Sequence, residues 1–159
     1  MIRLSRLADY GVVLACQMAV KADRCHNAFD LAAGTGLPAP TVSKLLKVLL
    51  QSGLLASTRG IKGGYSLARA AELISLAEII SALEGPLALT ECSTDISGLC
   101  DLEPSCPIKD NQRIINHVIR GALEKVTLSD LIRPMQLSAV HAAGLGLVTT
   151  ITPASGRMQ

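Results

Sequence analysis

The sequence predicts a mainly helical fold with one small β-hairpin, a compact unit over residues 1–85 and a long amphipathic helix beyond it. Three observations predict this. Aromatic residues make up only 2% of the 159, with no Trp, two Tyr and one Phe. A core must then be assembled from Leu, Ile, Val and Ala, which favours helices. Apolar residues also recur three and four apart in several separate stretches. Finally, the pair Gly63-Gly64 lies between two short strand-like runs, a common hairpin signal.

The first helix is expected over residues 7–21, capped by Ser5, with Leu7, Gly11, Leu14 and Met18 repeating at helical spacing and Ala8, Ala15 and Ala19 beside them. Cys16 falls among these small apolar residues and reads as an inert buried thiol. Cys25 and His26 follow in the polar run K-A-D-R-C-H-N. Adjacent residues rarely both face one ion, so this run reads as a solvated loop.

A short helix over 29–33 and the stretch G-T-G-L-P-A-P lead into a second helix. It starts near Pro40, whose missing N–H is no loss in a first turn, and stops at Gly53. Val42, Leu45, Leu46 and Leu49 form its buried stripe, leaving Thr41, Ser43, Lys44, Lys47 and Gln51 outside. Two helices joined by a tight glycine-containing turn match a helix-turn-helix. The outer residues suit base edges (the hydroxyls) and phosphates (the lysines). Strands over 54–59 and 65–68 then form a hairpin with Arg59 and Lys62 at or near its tip. A basic-tipped hairpin directly after a helix-turn-helix is a wing, and the two in this order point to double-stranded DNA far more specifically than either alone.

Ser75, with Glu78 three residues on, opens a further helix through a capping box, and Leu76, Ile79, Ile80 and Leu83 return it to the core. A long helix is expected over about 107–126, started by Pro107, with Ile108, Ile115, Val118, Ile119, Ala122 and Val126 forming an apolar stripe. Such a stripe beyond a finished domain seeks a partner, and a second copy is the simplest one. His117 on this helix reads as a surface residue. Thr127 caps a last short helix closed by Pro134. The organisation expected is therefore a winged domain over 1–85, a cysteine loop over 86–107, and a dimerisation helix with its closing helix over 108–134. Residues 135–159, including His141, show no period and read as a disordered tail.

The net charge of +2 conceals a division. Residues 1–70 hold nine Lys/Arg against three Asp/Glu, residues 71–110 one against eight, and residues 111–159 five against two. The basic first part suits a polyanion, and the acidic middle should face away from it. No apolar run reaches the ~20 residues of a membrane span. The N-terminus does not resemble a secretory signal, so a cytoplasmic location is expected.

Cys92, Cys100 and Cys106 lie within fifteen residues, separated by seven and five others, among small, acidic and turn-forming residues. In a reducing compartment clustered cysteines argue for metal or redox chemistry rather than structural disulfides. Three thiolates form a plausible metal or cluster ligand set, with one coordination position to be found elsewhere.

These motifs together resemble the Rrf-two family of winged-helix transcription factors, of the IscR and NsrR type. The residues that carry the resemblance are R-L-S-R-L-A-D-Y-G, T-R-G-I-K-G-G-Y-S-L, I-S-L-A-E-I-I-S-A-L-E-G and the three-cysteine loop followed by C-P-I, over residues 1 to about 134. The pattern is most similar to members that control SUF iron–sulfur cluster assembly. The resemblance implies a dimer joined by the long helices, and a cluster ([2Fe–2S], or alternatively [4Fe–4S]) on Cys92, Cys100 and Cys106 that sets DNA affinity. IscR-type members carry a histidine three residues after the last cysteine, where this chain has Lys109. NsrR-type members borrow an aspartate from the other subunit, and Asp9 matches that position. The other account of Asp9 is an acid placed favourably near a helix N-terminus.

Two rival readings remain. One is a winged-helix regulator switched by zinc or thiol oxidation. The other is a thiol oxidoreductase or electron carrier, which would need a reactive CxxC. No CxxC, nucleotide loop, catalytic triad or paired-carboxylate motif is present, so a conventional enzyme is not expected.

Overall fold

A computed structural model describes residues 3–60, 63–94 and 98–133. The fold is mainly helical with one two-stranded antiparallel sheet, as the sequence predicts. The tail beyond 134 lies outside the described residues.

Helix α1 (Arg6–Ala19) starts at Ser5, whose hydroxyl accepts from the Ala8 N–H at 3.1 Å. It buries Leu14, Ala15 and Met18, and buried Gly11 packs closely on Leu83. Helix α2 (Ala28–Thr35) is capped by Asn27, which accepts from the Asp30 N–H at 2.7 Å. Gly36, at φ 70°, ends α2 in the left-handed conformation that glycine adopts at little cost. Helix α3 (Ala39–Gln51), with Pro40 in its first turn, buries Val42, Leu45, Leu46 and Leu49.

Strands β1 (Leu55–Thr58) and β2 (Gly64–Leu67) pair with Leu55 opposite Leu67 and Thr58 opposite Gly64. Helix α4 (Leu76–Glu84) carries the full Ser75–Glu78 capping box. The Ser75 N–H, and then Arg69, hold the Glu78 carboxyl below the usual carboxylate range. Helix α5 (Lys109–Lys125) begins two residues later than the sequence suggests. Pro107 and Ile108 form a turn, with the Lys109 N–H reaching the Cys106 carbonyl at 3.4 Å.

The chain then returns to the winged domain. The Leu76 N–H donates to the Val126 carbonyl and the Leu128 N–H to the Ile74 carbonyl, both at 2.8 Å. Helix α6 (Leu128–Leu131), capped by Thr127 and Asp130, places fully buried Leu128 in the same core as Leu14, Met18 and Leu46.

One expectation needs correction. His26 is not solvated: it is 4% exposed, and its Nε2 donates to the Lys21 carbonyl at 3.0 Å. Its N–H donates to the Tyr65 carbonyl at 2.7 Å and its carbonyl accepts from the Tyr65 N–H at 2.8 Å, adding a third segment to the hairpin. The physical reason is backbone accounting, since these peptide groups are paired with each other rather than with water. Gly64 permits the approach, because a Cβ there would meet the His26 carbonyl oxygen. Cys25, one residue away, is exposed as expected, and Cys16 is half-buried with its thiol pKa raised by desolvation.

Gly64→Ala should therefore cost about 1–3 kcal/mol by forcing overpacking at this bridge. Urea unfolding measures it, and an unchanged midpoint would show that the hairpin does not depend on the close approach.

Candidate nucleic-acid interface and cysteine loop

Because α3 buries four aliphatic residues on one side, its other side is turned out. Ser43, Lys44, Lys47 and Gln51 are exposed, and Thr41 is half-buried at the margin. Arg59 is exposed just beyond β1, while Lys62 lies outside the described residues. Among the described residues Lys44, Lys47 and Arg59 enter no ion pair, so their charge is available to an incoming anion. The helix-turn-helix and the hairpin thus present hydroxyls and free cations on an aliphatic scaffold.

Cys92 sits in a short 3-10 turn, Glu91–Ser93, and is 7% exposed. Its sulfur lies 3.3 Å from the Thr90 hydroxyl, which also pairs with Ser93 at 2.7 Å. Cys100 and Cys106 are half-buried, and all the cysteines are free thiols. Cys100 lines a shallow cleft with Gly98, Asp101, Glu103, Pro104 and Lys109. At its centre Glu103 accepts from Lys109 at 3.0 Å and from Arg113 and the Gly98 N–H at 3.3 Å. The Lys109 hydrogen bond, followed by that of Gly98, holds the Glu103 carboxyl below the usual range.

The structure places the three cysteines on one loop but not at one point. Among the described residues no three His, Cys, Asp or Glu side chains converge as a metal ligand set. Asp9 is exposed in the first turn of α1 and lines a different cleft with Arg3, Ser5, Arg6 and Glu84. Lys109 is engaged with Glu103.

Two residues that hold the loop escape a reading based on apolar periodicity. The Arg113 Nε donates to the Cys92 carbonyl at 3.2 Å. Buried Asn116 accepts from the Leu89 N–H at 3.0 Å and donates to the Leu87 and Ser93 carbonyls at 3.2 and 3.4 Å. The available signal was the spacing of Lys109, Arg113 and Asn116, which puts polar groups on one face of α5. Away from that face, Ile108, Ile115 and Val118 stand roughly half exposed, at 51%, 47% and 46%.

The winged helix-turn-helix and the family it matches define the class: a DNA-binding transcriptional regulator, not an enzyme. The chain belongs to the Rrf2 family, whose model is described as an iron-dependent transcriptional regulator and matches residues 4–134. A Mycobacterium tuberculosis (strain H37Rv) protein named as the HTH-type transcriptional regulator Rv1287 is 36% identical over 133 residues, covering 81% of this chain and 80% of that protein. Among solved structures, the global cysteine regulator CymR of B. subtilis matches with a TM-score of 0.65 and 26% identity, over 83% of this chain and 97% of CymR. T. potens IscR matches with a TM-score of 0.64 and 26% identity, over 87% and 96%. No helix among the described residues is long and apolar enough to cross a membrane.

If Lys44, Lys47 and Arg59 meet phosphates, replacing each by Gln should weaken binding across DNA sequences and reduce the slope of log K against log salt by about one per contact. Fluorescence anisotropy over a salt series checks this; an unchanged slope would remove that residue from the interface. A second expectation concerns Glu103. A lowered carboxyl pKa stabilises the loop above the ordinary carboxylate pKa, and this is lost as pH falls through the lowered value. Glu103→Gln should therefore speed hydrogen exchange at the Gly98 amide at neutral pH. The difference from wild type should vanish in acid; equal exchange at neutral pH would contradict it.

Proposed function

We propose that this chain is a homodimeric, cytoplasmic, cluster-sensing repressor of iron–sulfur assembly genes of the SUF or ISC type. The observation that carries the reading is the thiol loop: Cys92, Cys100 and Cys106 lie on one segment, tied to α5 through the Cys92 and Ser93 carbonyls and the Glu103 side chain. The donor set suits the group, since thiolates are the ordinary ligands of iron–sulfur clusters. The family description and the likeness to IscR support it. Holding a [2Fe–2S] cluster, or a [4Fe–4S] one, requires Cys92, Cys100 and Cys106 to be brought together, because the thiols do not converge in the isolated chain. Asp9 of a second copy is the proposed fourth ligand, since Lys109 is engaged with Glu103.

When bound, a cluster supplies an oxidisable link across the loop that depends on iron supply. The chain's own part is to offer thiols that lose their protons on ligation, so cluster affinity falls on acidification. The exposed Ile108, Ile115 and Val118 stripe takes the second copy and sets two α3 helices on two operator half-sites. Loss of ligation relaxes the Cys92–Cys106 segment and shifts the partner's recognition helix.

The test uses an operator selected from random DNA under anaerobic conditions. Cluster-loaded and cluster-free protein should differ in operator Kd by roughly fivefold or more, the low end of ordinary coupling. Replacing Cys92, Cys100 and Cys106 together by Ser should abolish the difference. Equal Kd values for fully loaded and empty wild type would overturn the sensing role. For the dimer, Ile115→Asp should sediment as a monomer and bind the operator more weakly; a variant that stays dimeric would remove the stripe from the interface.

A further inference from the structure

We infer that Asn116 and Arg113 are positioning residues that couple the state of Cys92 to the placement of α5, an inference resting on the reading above that the α5 stripe takes a second copy. Cys92 is fixed chiefly through the peptide groups around it. Asn116 is 9% exposed and makes three hydrogen bonds to main chain on both sides of Cys92, at Leu87, Leu89 and Ser93. Arg113, about one turn earlier, donates to the Cys92 carbonyl and to Glu103. Lys109, a further turn back, also binds Glu103. Positions 109, 113 and 116 share one face of α5, and positions 115 and 118 lie on another, with Ile108 in the turn just before the helix.

A helix shifts as a rigid element, so a displacement of the apolar stripe carries the Asn116 amide with it. Releasing that amide would cost the part-buried peptide groups of Leu87, Leu89 and Ser93 a partner and leave the buried Asn116 side chain unpaired. The turn holding Cys92 therefore follows α5. Coupling of this kind is reciprocal: what fixes α5 must alter the accessibility of the Cys92 thiol, and what binds the thiol must alter the pairing of α5. The polar face of α5 is thus the path by which occupation of the loop reaches the dimer.

The experiment uses reduced, cluster-free full-length protein, and so does not depend on cluster uptake. The rate of Cys92 alkylation by iodoacetamide is followed by peptide mass spectrometry and divided by that of exposed Cys25 in the same sample. Four proteins form a cycle: wild type, Ile115→Asp, Asn116→Ala, and the double variant. Arg113→Gln replaces Asn116→Ala in a parallel cycle, which covers the case in which the alanine variant does not fold. Sedimentation in the same buffer establishes which proteins are dimers.

Ile115→Asp should change the Cys92 to Cys25 ratio by about fivefold or more. In the Asn116→Ala or Arg113→Gln background it should change the ratio little further. A shift of the same size in those backgrounds, as direct shielding by a partner chain would give, overturns the coupling. So does the absence of any shift between a dimeric wild type and a monomeric Ile115→Asp. A wild type that sediments as a monomer removes the reading of the stripe, and this inference with it.

Discussion

The structure depends on one return of the chain: two peptide hydrogen bonds, from Leu76 to Val126 and from Leu128 to Ile74. Buried backbone groups must be paired, and these pairings lock the far end of α5 to the entrance of α4. Fully buried Leu128 then enters the aliphatic core of the winged domain. Helix α5 is thus held at its far end by this bridge and along its first half by the Arg113 and Asn116 contacts to the cysteine loop.

That constraint separates the tasks of the molecule. Stability is carried by Leu14, Met18, Leu31, Leu45, Leu46, Ile79, Ile80 and Leu128, none of which is needed at a surface. The outer side of α3 is left to Ser43, Lys44 and Lys47. Acidic residues gather from 71 to 110, and Glu103 spends its charge on Lys109 and Arg113 within the loop. Other acids of that part serve the winged domain itself: Glu78 caps α4 and pairs with Arg69, and Glu84 accepts from the Ser5 N–H.

What was legible in the sequence is what local physics determines. Ser5, Ser75 with Glu78, and Thr127 each cap a helix because a side chain reaches a backbone group three residues away. The Val42, Leu45, Leu46, Leu49 stripe and the Gly63-Gly64 hairpin are equally local. His26 was not legible, because its burial depends on a peptide pairing with Tyr65 across a long separation in sequence. The loop-holding roles of Arg113 and Asn116 were missed for the same reason, their partners lying 21 to 29 residues away. At the candidate site the residue types were readable, but their spacing along the chain did not reveal that the three thiols stand apart in the isolated chain.

The central claim is that a loop of separated thiols closes on an iron–sulfur cluster. Protein purified without air, analysed for iron, sulfide and zinc beside its visible spectrum, tests it most directly. The account predicts brown protein with iron and sulfide in matching amounts, and colour lost when Cys92, Cys100 and Cys106 are replaced by Ser. Colourless protein that resists cluster reconstitution, with zinc or no metal bound, would contradict it.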